Sequence, residues 1–256
     1  MEPNDRPDRR RVLARLGAGA GTLLLGGCDR LGATPWFQRL LAAAEGVDRR
    51  VQRHVSPQGG MAREYAAADL SPFFKPNGTD DPLNPEYQAL ADNQFADWRL
   101  VVDGLVRRPA RLSLDELRAL PARTQITRHD CVEGWSCIGK WTGARLGPLL
   151  DEVGPLPAAR YVVFHCADPM DDGDVYYESI DFDDAYHAQT ILAYDMNDRR
   201  LPVAHGAPVR LRVERQLGYK MAKYVMRIEA VASFAGIRGG RGGYWEDQGY
   251  QWYAGI

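Results

Sequence analysis

Between residues 98 and 231 strand-like segments of five to eight residues, rich in apolar side chains, are set off by Gly, Pro, Asn and Asp. That rhythm constrains the fold more than any other feature of the chain. Residues 98–104 read as a strand entering a turn at Asp103-Gly104, and 124–128, 161–166, 191–196, 209–213 and 224–231 read as further strands. Ser113-Leu114-Asp115-Glu116 is a capping box that opens a short helix ending by Pro121. A second short helix is expected at residues 146–153. Short strands mixed with short helices, without regular strand–helix–strand alternation, predict an α+β domain. There is no Gly-rich dinucleotide or P-loop fingerprint.

The N-terminus is a different kind of segment. Arg9-Arg10-Arg11-Val12-Leu13 precedes an apolar, small-residue run at 16–27, too short to span a bilayer. The pattern resembles a twin-arginine export signal. Leu25-Gly26-Gly27-Cys28 resembles a lipobox, which predicts a periplasmic protein anchored to the inner membrane through lipidated Cys28; the alternative is a plain cleaved signal. The expected organisation is a leader at 1–27, an anchor-proximal segment at 28–68 and a binding domain at 69–256. Apolar residues at 36–47 have helical spacing and are followed by Arg49, Arg50 and Arg53, which reads as a solvated helix. Residues 69–95 are dense in Pro, Asn, Asp and Gly and read as an irregular loop.

The 256 residues carry 32 Lys and Arg against 34 Asp and Glu, so no basic surplus points to nucleic acid. Cys28 belongs to processing, which leaves Cys131, Cys137 and Cys166. Three is odd, so disulfides leave at least one thiol spare, and in an oxidising compartment a spare thiol must be buried or bound. Cys131 lies in Arg128-His129-Asp130-Cys131-Val132-Glu133-Gly134-Trp135, where Arg128 and His129 would supply positive field for a metal thiolate. A structural cysteine beside a core tryptophan is the alternative. Zinc is disfavoured, because Cys131 and Cys137 are not at a usual zinc spacing and no second close pair exists.

A second cluster runs His205-Gly206-Ala207-Pro208-Val209-Arg210, then Gly218-Tyr219-Lys220-Met221-Ala222-Lys223. An Arg at a strand start and two Lys three apart would suit an anionic ligand, although solvated strand ends look the same. The acidic stretch 168–184 lacks the spacing of a calcium loop and reads as a solvated loop near the site mouth.

Taken together, residues 98–231 resemble the molybdopterin-binding domain of the sulfite oxidase family. The signals occur in the same order: Asp103-Gly104, the helix at 112–120, Cys131 with Gly134-Trp135, and Trp141-Thr142-Gly143-Ala144-Arg145-Leu146. Leu192-Ala193-Tyr194-Asp195-Met196-Asn197, Leu201-Pro202, the His205 to Arg210 string and the Lys220/Lys223 pair follow. The resemblance implies a mixed-sheet α+β domain holding one molybdenum-molybdopterin, with Cys131 and two dithiolene sulfurs on the metal. It implies cofactor contacts from His205, Arg210, the backbone of Met221 and Ala222, and Lys223. Ser71-Pro72-Phe73-Phe74-Lys75 is similar to a loop covering the pterin, which brings in Phe74 and Lys75. Cys166 stands where the family's exported sulfoxide reductases have a cofactor-contacting threonine.

Two departures narrow the expected activity. Residues 132–139 lack the arginine with which sulfite oxidases bind their anion, and the family's C-terminal dimerisation domain is not expected in the roughly 25 residues after the last strand. The context of Cys131, Glu133 and Trp135, the candidate catalytic residues, is closer to the family's periplasmic protein-methionine-sulfoxide reductases. The expected reaction is therefore reduction of an S-oxide, with Trp135, Trp141 and Tyr219 as its wall. Arg128 or His129 would weaken that reading if either brought positive charge to the metal side. There is no haem-attachment or iron–sulfur motif, so electrons are expected from a haem-bearing membrane partner. A sulfite dehydrogenase and a non-catalytic cofactor-binding lipoprotein are the alternatives. After residue 231 the chain reads as Gly-rich, aromatic-rich coil, and its tail from Gly242 onward would cap the site or dock a partner.

Overall fold

A computed structural model describes residues 32, 34–55, 60–170 and 173–256. The expected leader and Cys28 lie outside the described residues, as do Asp171 and Asp172. The chain divides into two units, 1–52 and 53–256. The first, as described, is helical; its helix α1 is bounded by Pro35–Val55.

The second unit carries ten strands among its described residues. One sheet has the order β2-β1-β10-β5-β6, built from β1 (Arg99–Gly104), β2 (Ala110–Ser113), β5 (Tyr161–Pro169), β6 (Val175–Asp181) and β10 (Val225–Val231). β1 and β10 run parallel and the other neighbours antiparallel, so the sheet is mixed. The other sheet has the order β3-β4-β7-β8, with β9 also on β7: β3 (Ala122–Cys131), β4 (Trp135–Arg145), β7 (Ile191–Met196), β8 (Arg199–Arg200) and β9 (Arg210–Arg212). The α+β expectation holds.

Local chemistry explains the helices. Ser113 and Glu116 form the expected capping box on α3 (Leu114–Ala119). α4 (Leu146–Val153) buries Leu146, Leu149, Leu150 and Val153 at helical spacing, each worth about 1.5–3 kcal/mol. It stops at Gly154, whose φ of 66° suits a residue without Cβ.

Three expectations need correction. Residues 69–95 are not all loop. They contain α2 (Pro85–Asp92), where Asn84 caps the Tyr87 N–H at 2.7 Å and Pro85 fills the first turn. Asn-Pro, read as loop punctuation, is here a cap and first helical residue. The acidic stretch is not a solvated loop either. It forms the end of β5, all of β6 and the short helix α5 (Phe182–Ala185), with Asp168, Glu178 and Asp184 buried. Third, the segment after Val231 is not all coil: α6 (Tyr244–Asp247) lies in it, and Tyr244, Glu246, Tyr253 and Ala254 are buried.

Strand parity then builds the site. On β7, Leu192 and Tyr194 enter the main core between the sheets, while Ile191 and Ala193 join Phe74 and Trp141 in a second cluster on the other face. On β9, Leu211 enters the main core, so Arg210 and Arg212 point the other way, 5.1 and 4.4 Å from the Trp141 ring centroid. On β3, Gln125, Thr127 and His129 are buried and Arg128 is exposed, which puts Cys131 on the face of His129.

Candidate active site

β3 and β4 meet in a tight hairpin in which Cys131 pairs with Trp135. Gly134 makes the turn possible, with φ at 84° and its N–H donating to the Cys131 carbonyl at 3.1 Å. Cys131 therefore stands at the hairpin tip, half-buried, opening into a cavity of about 330 Å³. Burial pushes its thiol above the ordinary range, while a backbone N–H of Glu133 and the charges of Lys75 and Arg210 favour the thiolate.

The cavity is of ligand-binding size. One side is the loop Asn77, Gly78 and Thr79, with Met221 and Lys223. Tyr176, Tyr219, Trp245 and Tyr250 supply an aromatic part of the lining. Glu133 borders it and accepts from Trp135 Nε1 at 2.9 Å and Lys75 Nζ at 3.3 Å. Asp168 also lines it, 4% exposed with Oδ1 unpartnered, and burial raises its carboxyl to about 7.

Behind Met221 and Lys223 sits a group of buried cations. Arg210 is fully buried; it donates to the carbonyls of His205 at 3.1 Å and Met221 at 3.4 Å and to Asn77 Oδ1 at 3.5 Å, and its Nε has no partner. Burial and the neighbouring Arg212 lower its pKa to about 9. Lys223 donates to the carbonyls of Ala204, at 3.1 Å, and Thr79; burial and Arg210 lower it to about 7. His205, pushed down to about 4 by burial, Arg210 and Lys223, has a buried Nδ1 without a partner. Among the described residues no carboxylate forms an ion pair with any of the three. Two buried cations, Arg210 lowering Lys223, beside a neutral imidazole and an unpartnered guanidinium Nε fit an anionic ligand.

The neighbouring charges are spoken for. Arg212 pairs with Glu214 at 2.7 Å, both side chains fully buried. Lys220 does not join Lys223: it is buried between Glu178 and Glu246, the latter at 2.5 Å. Two lysines three apart thus serve different purposes. Arg128 and His129 do not provide the expected positive field. Arg128 is half exposed and tied to Asp130 at 2.8 Å. Burial, Arg212 and Arg210 hold His129 well below its ordinary range, hence neutral, with Nδ1 3.0 Å from Arg212 Nη1. Accepting there leaves the ring proton on Nε2. Gly218 packs so closely on that edge that any Cβ would collide with the ring.

The structure brings Cys131, Glu133, Met221 and Lys223 into one cavity, with His205 and Arg210 immediately behind it. Phe74 is buried among His129, Trp135, Trp141 and His205, and Lys75 is exposed over the Trp135 ring. Cys166 and Ala222 lie in the main core rather than in the cavity lining. Trp141 is fully buried under Arg210 and Arg212 and, like Trp135, does not line the cavity; Tyr219 does. Sequence reasoning missed Asn77, Thr79, Asp168, Tyr176, Trp245 and Tyr250. The aromatic density of the tail was the one available signal for the last two.

Among the described residues no group of three or more His, Cys, Asp or Glu is placed to hold a metal. A metal at Cys131 would need most of its ligands from elsewhere, as it does when carried by an organic cofactor. The donor set fits molybdopterin: cations for a phosphate, a buried carboxylate for ring N–H groups, and a thiol for the metal.

Comparison with known proteins agrees. Residues 87–235 match the family described as oxidoreductase molybdopterin binding domain. A protein of Azospira oryzae, provisionally named protein-methionine-sulfoxide reductase subunit YedZ1, is 38% identical over 251 residues, 97% of this chain and 88% of that protein. The protein-methionine-sulfoxide reductase catalytic subunit MsrP of Xanthomonas campestris is 38% identical over 148 residues; the match covers 54% of this chain and only 46% of that relative. The sulfane dehydrogenase SoxCD of Paracoccus pantotrophus shares the fold, with a TM-score of 0.50 at 23% identity over 56% of this chain and 40% of that one. The chain is a member of the sulfite-oxidase-type molybdopterin oxidoreductases, and molybdopterin is its cofactor.

Proposed function

We propose that this enzyme reduces an S-oxide, such as methionine sulfoxide, to the thioether and water, with two electrons from a haem-bearing membrane partner and two protons. The observation that carries this is the charge of the cavity. With Lys223 and Asp168 given to the cofactor, the lining offers a substrate one charged side chain, the carboxylate of Glu133, and is otherwise mainly aromatic and apolar. Sulfite is an anion near neutral pH, and a site that oxidises it needs fixed positive charge beside the metal. A neutral sulfoxide needs an apolar wall, which Tyr176, Tyr219, Trp245 and Tyr250 form. The two relatives named for methionine-sulfoxide reduction support the same reading.

In this proposal Cys131 is the protein's ligand to molybdenum. Arg210, Lys223 and His205 hold the phosphate, the Met221 and Ala222 backbone lies along the cofactor, and Phe74 supports the covering loop from below. The bound molybdenum centre supplies the two-electron couple that removes oxygen from sulfur. Glu133, which lines the cavity, holds Trp135 and Lys75 beside it, and its carboxylate offsets the lysine's charge. The deciding assay compares sulfite-dependent acceptor reduction with sulfoxide-dependent oxidation of reduced viologen on one preparation. Fast sulfite turnover without sulfoxide turnover would favour the sulfite dehydrogenase, and no turnover of either would favour the storage protein.

Export through the twin-arginine route and anchoring at Cys28 belong to the same proposal. Arg9→Lys with Arg10→Lys should leave the protein in the cytoplasmic fraction, and Cys28→Ala should abolish acyl labelling. Normal periplasmic delivery of the double variant would refute the export route.

A further inference from the structure

Helix α1 carries an exposed apolar face. Trp36, Leu40, Val47, Val51 and Val55 are 53, 56, 54, 53 and 74% exposed. At about 100° per residue these five, with exposed Ala43 and Ala44, fall within one arc of roughly 120°. Exposed Arg39 and Arg50 border that arc on one side. On the opposite side Arg53 is half-buried and paired with Asp181 at 2.5 Å, Asp184 at 3.4 Å and Asp183. A surface helix ordinarily turns its apolar stripe inward and its charges to water. In α1 the apolar stripe is exposed instead.

We propose that α1 is an interfacial helix that docks on an anionic lipid surface. In the docked state Trp36, Leu40, Val47 and Val51 enter the acyl boundary and Arg39 and Arg50 reach the headgroups. The helix carries four arginines against one glutamate and one aspartate, and charge of that sign favours anionic lipid. Its composition suits this partner: a wide apolar arc, arginines at its border and a tryptophan at one end. At about 31 Å the helix has the length of a membrane span, but no described helix is apolar enough to cross a membrane, so α1 lies on the surface. A second copy of the chain is a poorer fit, because Ala43, Ala44 and His54 interrupt the large side chains that would have to interlock. A fluid acyl boundary needs no matching surface. Docking of α1 requires neither the S-oxide reaction nor lipidation of Cys28.

The test uses the full-length chain carrying Cys28→Ala, which has no acyl chain, with vesicles of phosphatidylglycerol brominated near the headgroup. Tryptophan emission should be quenched, and Trp36→Phe should remove the quenched component. Leu40→Asp with Val47→Asp should weaken vesicle binding by about tenfold or more, since each apolar side chain withdrawn from the acyl boundary takes with it a sizeable share of the binding. Phosphatidylcholine vesicles should bind less. Both variants should keep the molybdenum content of the parent. Unquenched emission, or quenching that persists unchanged in both variants, overturns the proposal. So does a dimer in solution that Leu40→Asp with Val47→Asp dissolves while Trp36 stays unquenched by vesicles, because the face then belongs to a second copy.

Discussion

Lys220 Nζ lies 2.5 Å from Glu246 Oε1, and neither side chain is more than 1% exposed. Glu178, on β6, meets the same ammonium. Burial and the charge of Glu246 push the Glu178 carboxyl well above its usual range. A single buried lysine thus ties the tail that carries Trp245 and Tyr250 to the sheet beneath the cavity. Lys220→Met would leave buried carboxyls without their cation, a loss of about 3–5 kcal/mol. Chemical denaturation should show that loss, together with weaker substrate saturation as the aromatic wall loosens. A stability within about 1 kcal/mol of the parent would mean the cluster does not hold the tail.

The buried cations behind the cavity should set cofactor retention. Arg210→Ala or Lys223→Ala removes a phosphate partner, a loss of a few kcal/mol or about a hundredfold in affinity. Both variants should purify with little molybdenum yet remain folded by circular dichroism. Full molybdenum content in both would place the phosphate elsewhere.

Retention should also depend on pH. Without an anion, Lys223 is lowered to about 7 by burial and Arg210. A bound phosphate raises that pKa again, so the contribution of Lys223 is complete below pH 7. Above pH 7 binding must take up a proton, and affinity falls by at most about tenfold per unit. Cofactor dissociation measured at pH 6.5 and 8.5 should therefore be slower in acid, and a flat profile would remove Lys223 from the phosphate site.

Cys131→Ser tests the metal ligand. The side chain is half-buried at a hairpin tip whose turn rests on Gly134, so the fold should survive with its thermal midpoint little changed. Exchange of the soft thiolate for a hydroxyl should abolish dye-linked turnover. Near-parental turnover would end the assignment.

Much of this was legible along the chain because it depends on near neighbours. The capping box at Ser113 and Glu116, the helix Leu146–Val153 and the strand Ile191–Met196 are local patterns, and they stand where periodicity put them. The string around Cys131 and the run from His205 to Arg210 marked the family, because a turn glycine and a strand-start arginine are needed wherever that backbone recurs. β4 was not legible. No strand was expected over 135–145, and Gly143 there sits at a register shift where a Cβ would strike the Leu192 carbonyl.

Long-range packing decided the rest. Nothing near Lys220 or Lys223 in the chain separates their tasks; the first is claimed by Glu178 and Glu246, from β6 and the tail, and the second faces the cavity. The acidity of residues 168–184 suggested solvent, but the carboxylates of Glu178 and Asp168 are buried because a lysine and a cavity lie beside them. Trp141, Arg210 and Arg212 are stacked by strands β4 and β9, so a residue that looked like substrate wall is instead the floor under two guanidinium groups. Local pattern settles which element a residue joins, and burial beside partners distant in the chain settles its charge and its chemistry.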